Sequence, residues 1–349
     1  MGGLQKKIRV LVVDDSAFVR RAILRMFEKS PDIEVVGVAA NGESAVELAR
    51  SLRPDVITLD VQMPVLDGLS ALELIMKECP APVIMFSCLT GKGAEKTMKA
   101  LDIGAVDFVD KSSAGGAMDI GALAKELTGK IKVAAGVDLE KLRAAARKAG
   151  TAPPSRGRTK GEGAEVVVMG TSTGGPPALQ QVLGRMQPPP CPILIVQHMP
   201  PGFTASLAAR LDRHSALTVR EASDGEVVVA GNVYLAPAGW HMRLRRKDGA
   251  LQVWLDPVPG GHLHCPSVDA LFDSAAEVCG DRALGVVLTG MGKDGAAGAR
   301  AIKKAGGRIV VETEETAIVY GMPKAVADAV SVDAAVPLYQ VSDAIAGMI

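Results

Sequence analysis

The sequence predicts an α/β protein made of two doubly wound parallel-sheet domains. Short runs that are apolar throughout and rich in Val and Ile alternate with segments of helical spacing, the pattern of parallel strands covered by helices on both faces. Several runs end in carboxylates or glycine-rich turns, and open parallel sheets place ligands at such carboxyl ends. At 349 residues the chain exceeds what one hydrophobic core usually serves, so two domains are expected.

The first series of strand-like runs covers residues 8–13, 34–39, 56–59, 83–86 and 106–109, with helical spacing at 18–27 and 44–51 between them. Five βα units make a first domain over residues 1–128. From 129 to 163 the texture changes: Lys141, Arg143, Arg147, Lys148, Arg156, Arg158 and Lys160 stand among Ala, Gly and Pro. Residues 139–149 have helical spacing, whereas 151–163 carry almost no apolar side chains and read as a flexible tether. A second α/β series follows at 166–169, 193–196, 227–235, 283–288 and 308–311, giving a second domain over 164–349.

Composition excludes several classes. With 48% apolar and 22% charged residues the chain can bury two cores, which argues against disorder. Lys plus Arg equals Asp plus Glu at 39 each, so no net field draws nucleic acid to the chain. The zero conceals an asymmetry: 15 basic and 18 acidic residues in 1–128, 9 and 3 in 129–163, and 15 and 18 in 164–349. No apolar run approaches the roughly 18 residues of a bilayer span, and residues 1–7 lack the apolar stretch of a signal peptide, so a cytoplasmic chain without membrane insertion is expected. The five cysteines form no CxxC pair and read as reduced thiols.

In the first domain, Asp14 and Asp15 follow the first strand and Asp60 ends the third. Three converging carboxylates repel one another unless a divalent cation sits among them, and hard oxygen donors favour Mg²⁺. Ser87 and Lys111 bring a hydroxyl and an ammonium to the same edge, completing what an aspartyl phosphate needs. An Asp-Asp pair alone often just caps a helix, but five residues at successive strand ends say more. Here the sequence resembles the receiver domain of two-component response regulators, a flavodoxin-like fold. The resemblance implies Asp60 as phosphoacceptor, Asp15, Asp60 and the Gln62 carbonyl as direct Mg²⁺ ligands, Asp14 acting through water, and Ser87 and Lys111 holding the phosphoryl group. Phe108 occupies the family's aromatic switch position, or is simply a packed core ring. Ser112 stands where the family usually has proline.

In the second domain, the run 166–169 leads into Gly170-Thr171-Ser172-Thr173-Gly174-Gly175 and then Pro176-Pro177. A G-x-S-x-G turn between strand and helix projects a serine above the sheet edge, and the helix start supplies N–H groups for an oxyanion. The same turn suits a phosphate cradle, although neither G-x-G-x-x-G nor a P-loop lysine is present. Among the five histidines, His198 closes the strand beginning at 193 and belongs on the same edge as Ser172. His241 is the next candidate base, His214 reads as surface, and His262, His264 and Cys265 form a weak metal-like triplet. Asp294, in the glycine-rich loop after 284–288, delivers a carboxylate to the same edge, unless it merely shapes a turn. The order Ser172, His198, Asp294 differs from that of α/β-hydrolases.

A receiver and tether followed by G-T-S-T-G-G at 170–175, V-Q-H-M-P at 196–200, P-S-V-D-A-L-F at 266–272, L-T-G-M-G-K-D-G-A at 288–296 and Y-G-M-P at 320–323 resembles the chemotaxis protein-glutamate methylesterase family, CheB. The resemblance implies a Rossmann-like three-layer catalytic domain, the triad Ser172, His198 and Asp294, and oxyanion-hole N–H groups from Thr173 and Met291. It implies hydrolysis of glutamate γ-methyl esters on methyl-accepting chemoreceptors, with methanol released, and deamidation of receptor glutamines. It also implies phosphorylation of Asp60 by a CheA-type histidine kinase, which loosens a receiver packed over the esterase cleft, in a monomer that needs no cofactor beyond the receiver's Mg²⁺. Glu312 departs from the family, whose members often have glutamine at this position before the Y-G-M-P segment. Rival readings are a second domain that only binds a partner, and a nucleotide-binding oxidoreductase.

Overall fold

The computed structural model describes residues 6–87, 91–111, 120–141, 163–257 and 264–349. The chain divides into two compact units, Met1–Ala146 and Arg147–Ile349. Among the described residues no helix is long and apolar enough to cross a membrane.

In the first unit, β1 (Ile8–Val13), α1 (Ala17–Glu28), β2 (Ile33–Ala39), α2 (Gly42–Leu52), β3 (Val56–Asp60), α3 (Gly68–Glu78), β4 (Val83–Ser87), α4 (Gly91–Ile103), β5 (Asp107–Asp110) and α5 (Ile120–Ala134) alternate strictly. All strand pairings are parallel, in the order β2-β1-β3-β4-β5. Side-chain caps start three of the helices: Ser16, Asn41 and Asp67 accept from the N–H groups of Val19, Ser44 and Ser70. The order reverses between β1 and β3, so the carboxyl ends of these two strands flank the crevice where such sheets bind ligands.

Helix α5 runs to Ala134, six residues past the boundary expected at 128. The apolar stripe continues through Leu127, Ile131 and Ala134, all fully buried, so the helix is held by packing where composition alone suggested the tether had begun. Most of the tether, residues 142–162, and most of the helical stretch expected at 139–149 lie outside the described residues.

The second unit contains β6 (Val166–Thr171), α6 (Gly175–Leu183), β7 (Ile193–Gln197), α7 (Thr204–Arg213), β8 (Thr218–Glu221), β9 (Asn232–Leu235), β10 (His241–Lys247), β11 (Ala250–Asp256), α8 (Val268–Cys279), β12 (Ala283–Val287), α9 (Ala296–Lys304), β13 (Arg308–Glu312), α10 (Met322–Ala329), β14 (Ala334–Val336) and α11 (Leu338–Ala346). Seven strands form one parallel sheet in the order β14-β13-β12-β6-β7-β9-β8. The reversal falls between β6 and β12. Helix α8 lays Val268, Leu271, Phe272 and Ala275 in one core with Val166, Val168 and Val287, which fixes its N-terminus near that switch point.

Two differences from expectation have local causes. The strand read over 227–235 is confined to Asn232–Leu235, because Gly231 takes a left-handed φ of +77° and breaks the run. The hairpin β10–β11 was not foreseen as strands. Met242 and Leu244 are buried while Arg243 and Arg245 are partly exposed, so it alternates rather than reading as a continuous apolar run. Asp248 and Gly249, both at positive φ, close it as a two-residue turn.

Candidate active site and phosphoacceptor site

At the switch point of the first unit, Lys111 Nζ lies 2.7 Å from Asp14 Oδ2 and 2.6 Å from Asp60 Oδ2. Both carboxylates are buried, and Asp15 is exposed beside them. Burial pushes the Asp60 carboxyl up, against the hydrogen bond and charge of Lys111. Burial also works against the Lys111 ammonium, but the hydrogen bonds to Asp14 and Asp60 outweigh it and hold the group above its ordinary range. The Gln62 N–H donates to Asp60 Oδ1 at 3.2 Å, and Gly68 lies so close that a Cβ there would sit 1.9 Å from the Asp60 carbonyl oxygen.

Asp15, Asp60, Val61, Gln62, Ser87, Gly93 and Lys111 line a concavity of about 200 Å³. Asp14, Asp15 and Asp60 offer oxygens that all lie within 4.8 Å of one another, an all-oxygen donor set that fits Mg²⁺. Ser87 is fully buried at the end of β4, where the Thr97 hydroxyl lies 2.7 Å from its Oγ. Phe108 is also buried, under Lys130, whose Nζ stands 5.4 Å from the ring centroid. Ser112 lies outside the described residues.

In the second unit, β6 and β7 pair with Thr171 opposite Gln197, so Ser172 and His198 are the next residues out on neighbouring strands. The Ser172 turn is fastened on every side. Its N–H donates to the Thr289 carbonyl at 3.0 Å, and its carbonyl accepts from Gly175 N at 2.8 Å and Gln197 Nε2 at 2.9 Å. Gln197 Nε2 also donates to the His198 carbonyl at 2.9 Å, and its Oε1 accepts from the Thr171 hydroxyl. Gly175 is required here, since a Cβ would come 1.9 Å from both Gln197 Oε1 and Thr171 Oγ1.

His198 Nε2 lies 2.8 Å from Asp294 Oδ2, and its Nδ1 is buried with no hydrogen-bond partner among the described residues. Asp294 sits at the N-terminus of α8. Its Oδ1 accepts from the Ser267 hydroxyl at 3.0 Å and Asp269 N at 3.0 Å, and its Oδ2 accepts from Val268 N at 2.7 Å. Burial pushes this carboxyl up, but the hydrogen bond and charge of His198, with the N–H groups of Asp269 and Val268, hold it well below the usual carboxylate range. The arrangement supplies an oriented imidazole with one ring nitrogen left for proton transfer.

The 289–295 loop meets the Ser172 turn closely: a Cβ on Gly290 would stand 2.8 Å from the Ser172 Cβ. Thr289 Oγ1 donates to the Thr173 carbonyl at 2.9 Å, and no hydrogen bond among the described residues takes the Met291 N–H. Glu312, which stands where the family often has glutamine, lies beneath this loop. It is fully buried at the end of β13 and accepts from Thr289 N at 2.8 Å, so it supports the root of the loop.

His264, weighed above as part of a metal-like triplet, instead stacks on His198 with ring centroids 4.3 Å apart. Burial and the neighbouring His198 hold it below the ordinary histidine range. His262 lies outside the described residues. His241 is buried at the start of β10, and His214 caps the end of α7. Sequence reasoning also passed over Gln197, Ser267, Asp269, Thr289 and Thr97. For Gln197 there was a signal, a polar residue closing an otherwise apolar run.

The family model for CheB methylesterase matches residues 167–345, and that for the response regulator receiver domain matches residues 10–119. A protein-glutamate methylesterase/protein-glutamine glutaminase of Geobacillus kaustophilus is 45% identical over 99% of this chain and 99% of its own length. The same-named protein of Thermotoga maritima is 44% identical over 96% of this chain and 97% of its own. The crystal structure of the Thermotoga maritima CheB methylesterase catalytic domain, 43% identical, covers 53% of this chain and 99% of its own with a TM-score of 0.52.

Proposed function

The chain belongs to the CheB methylesterase family, and on that premise we propose that it is a phosphorylation-activated protein-glutamate methylesterase and protein-glutamine glutaminase with Ser172, His198 and Asp294 as its triad. The observation that carries the assignment is the His198–Asp294 bond beside the fastened Ser172 turn.

Ser172 attacks the γ-carboxyl ester carbon of a methylated glutamate on a chemoreceptor. His198 takes the hydroxyl proton on the ring nitrogen that does not face Asp294. The N–H groups of Thr173 and Met291 receive the developing oxyanion, each such donor being worth about 3 kcal/mol in the transition state. Methanol leaves with the proton from His198. Water, deprotonated by His198, then hydrolyses the glutamyl-serine ester and returns the serine. Asp294 orients the imidazole and stabilises its cation. A glutamine carboxamide follows the same route with ammonia as the leaving group.

In the receiver, Asp60 accepts a phosphoryl group from a CheA-type histidine kinase. Asp15, Asp60 and the Gln62 carbonyl would hold Mg²⁺, with Asp14 acting through water. The ion supplies charge neutralisation on the phosphoryl oxygens. Ser87 and Lys111 hold those oxygens, which requires Lys111 to share the Asp14 and Asp60 contacts with the new group. Phosphorylation activates by favouring an arrangement in which the esterase site is open to its substrate, since a modification indifferent to the two arrangements would shift nothing. The domain limits that suit this reading are a receiver ending near Ala134, a tether, and a catalytic domain from residue 164. The protein acts as a cytoplasmic monomer.

Replacing Ser172 with Ala tests the triad. Methanol release from methylated receptor should disappear while the circular-dichroism spectrum is unchanged; undiminished release would refute the assignment.

A further inference from the structure

The stretch 266–272 carries an acidic residue that the reaction above does not use, Asp269, in the first turn of α8. Its carboxylate does not cap its own helix. Asp269 Oδ1 accepts from Gly295 N at 2.9 Å and from Gly298 N at 2.7 Å, the opening N–H groups of α9. That helix has Gly295 as its N-cap residue and no side-chain cap of its own. Reciprocally, Asp294, the residue before the Gly295 N-cap, accepts from Val268 N and Asp269 N at the start of α8. Each helix therefore has part of its N-terminal N–H set satisfied by a carboxylate from the other's N-terminal segment, and Ser267 caps Ala270 N of α8 besides.

The exchange leaves little freedom. Gly295 N lies 2.9 Å from Asp269 Oδ1 and 3.1 Å from Asp294 Oδ1, so one N–H stands between the two carboxylates. The two helices also meet at backbone distance: a Cβ on Gly298 would lie 3.1 Å from the Asp269 Cα. Asp294 can aim Oδ2 at His198 only while the segment from Gly292 to Gly295 keeps its course, and the clamp on Gly295 sets one end of that course.

We propose that Asp269 is a positioning residue of the esterase site. By holding the N–H groups of Gly295 and Gly298 it fixes the 289–295 loop, and with it the aim of Asp294 at His198 and the placement of the Met291 N–H. The proposal rests on the Ser172–His198–Asp294 reading and adds to it a residue that touches no reacting atom. The acceptor position of Oδ1 matters here rather than the charge, so a neutral acceptor of the same shape should serve.

The test compares Asp269→Ala, Asp269→Asn and Ser172→Ala in the full chain, with methanol release expressed per mole of folded protein, the folded fraction being read by circular dichroism. Displacement of a catalytic group by about 1 Å costs on the order of a hundredfold. Asp269→Ala should accordingly lower kcat by roughly ten- to a hundredfold with KM within about twofold, and Asp269→Asn should bring kcat back to within about threefold of the parent. An Ala variant with parental kcat overturns the proposal, as does an Asn variant as slow as the Ala variant. Should Asp269→Ala not fold, Asp269→Glu carries the test, because one more methylene keeps the charge and displaces the acceptor. The same fall in kcat is expected, and an undiminished kcat overturns the proposal. An active Ser172→Ala protein would instead indict the triad, so the two failures are distinguishable.

Discussion

Gln197 offers a sharp check on how the esterase site is built. Gln197 is 2% exposed, and its side chain ties together the ends of β6 and β7: Nε2 donates to the carbonyls of Ser172 and His198, each at 2.9 Å, and Oε1 accepts from Thr171. Gln197→Leu keeps the volume and removes all three bonds, leaving the buried Thr171 hydroxyl without this acceptor, the partly buried His198 carbonyl without this donor, and the Ser172 carbonyl with Gly175 N. At about 1 kcal/mol net for each bond, the loss is about 3 kcal/mol. For a unit of this size, 1 kcal/mol corresponds to roughly 2–4 °C, so the melting transition of the second unit should fall by about 6–12 °C. The Ser172 turn loses one of its fastenings at the same time, and kcat should fall roughly tenfold or more. Thermal unfolding of the full chain by circular dichroism, paired with methanol release below the transition, reads both effects. A Leu variant that melts within 1 °C of the parent and turns over within twofold would refute the claim that Gln197 holds the serine and histidine strands in place.

Other outcomes follow from single observations. Asp294→Asn should lower kcat about ten-thousandfold, because the imidazole loses the carboxylate that orients it and stabilises its cation; a loss below tenfold in methanol release would contradict the triad. Gly68→Ala forces a Cβ toward the Asp60 carbonyl oxygen and should destabilise the first unit by about 1–3 kcal/mol in urea unfolding and blunt phosphodonor stimulation. Burial pushes the thiols of Cys191 and Cys279 up to about 12 and about 11, from 9.0. These neutral thiols contribute stability that is full below about pH 9 and is lost as pH rises toward the folded values, because only the unfolded chain ionises there. Denaturant midpoints should fall between pH 9 and 11, less steeply for Cys191→Val, and neither thiol should react with a disulfide reagent at pH 8 before unfolding.

Much of this was legible in the residues. Runs such as Val56–Asp60 and Ala283–Val287 are buried along their whole length, so the sequence needed no alternation to announce them. Chemistry-bearing residues at strand ends were legible for the same reason, since the parallel topology delivers each end to one edge. The β10–β11 hairpin was missed because Arg243 and Arg245 interrupt its apolar residues, although Asp248-Gly249 is a strong turn signal. The carboxylate exchange between Asp269 and Asp294 was not legible, because the two residues are 25 positions apart in the sequence and only packing brings them together. The role of Glu312 was not legible, because its position as the last residue of β13 gives no sign that it reaches beneath Thr289. His264 was read with its sequence neighbours, whereas its partner is 66 residues away.

The central claim is that one chain couples an aspartyl-phosphate switch at Asp60 to a serine esterase at Ser172. Methanol release from methylated receptor by the full chain and by Asp60→Ala, each with and without acetyl phosphate and Mg²⁺, tests it most directly. Stimulation of the parent and none of the variant is the predicted result; equal stimulation of both would contradict the account.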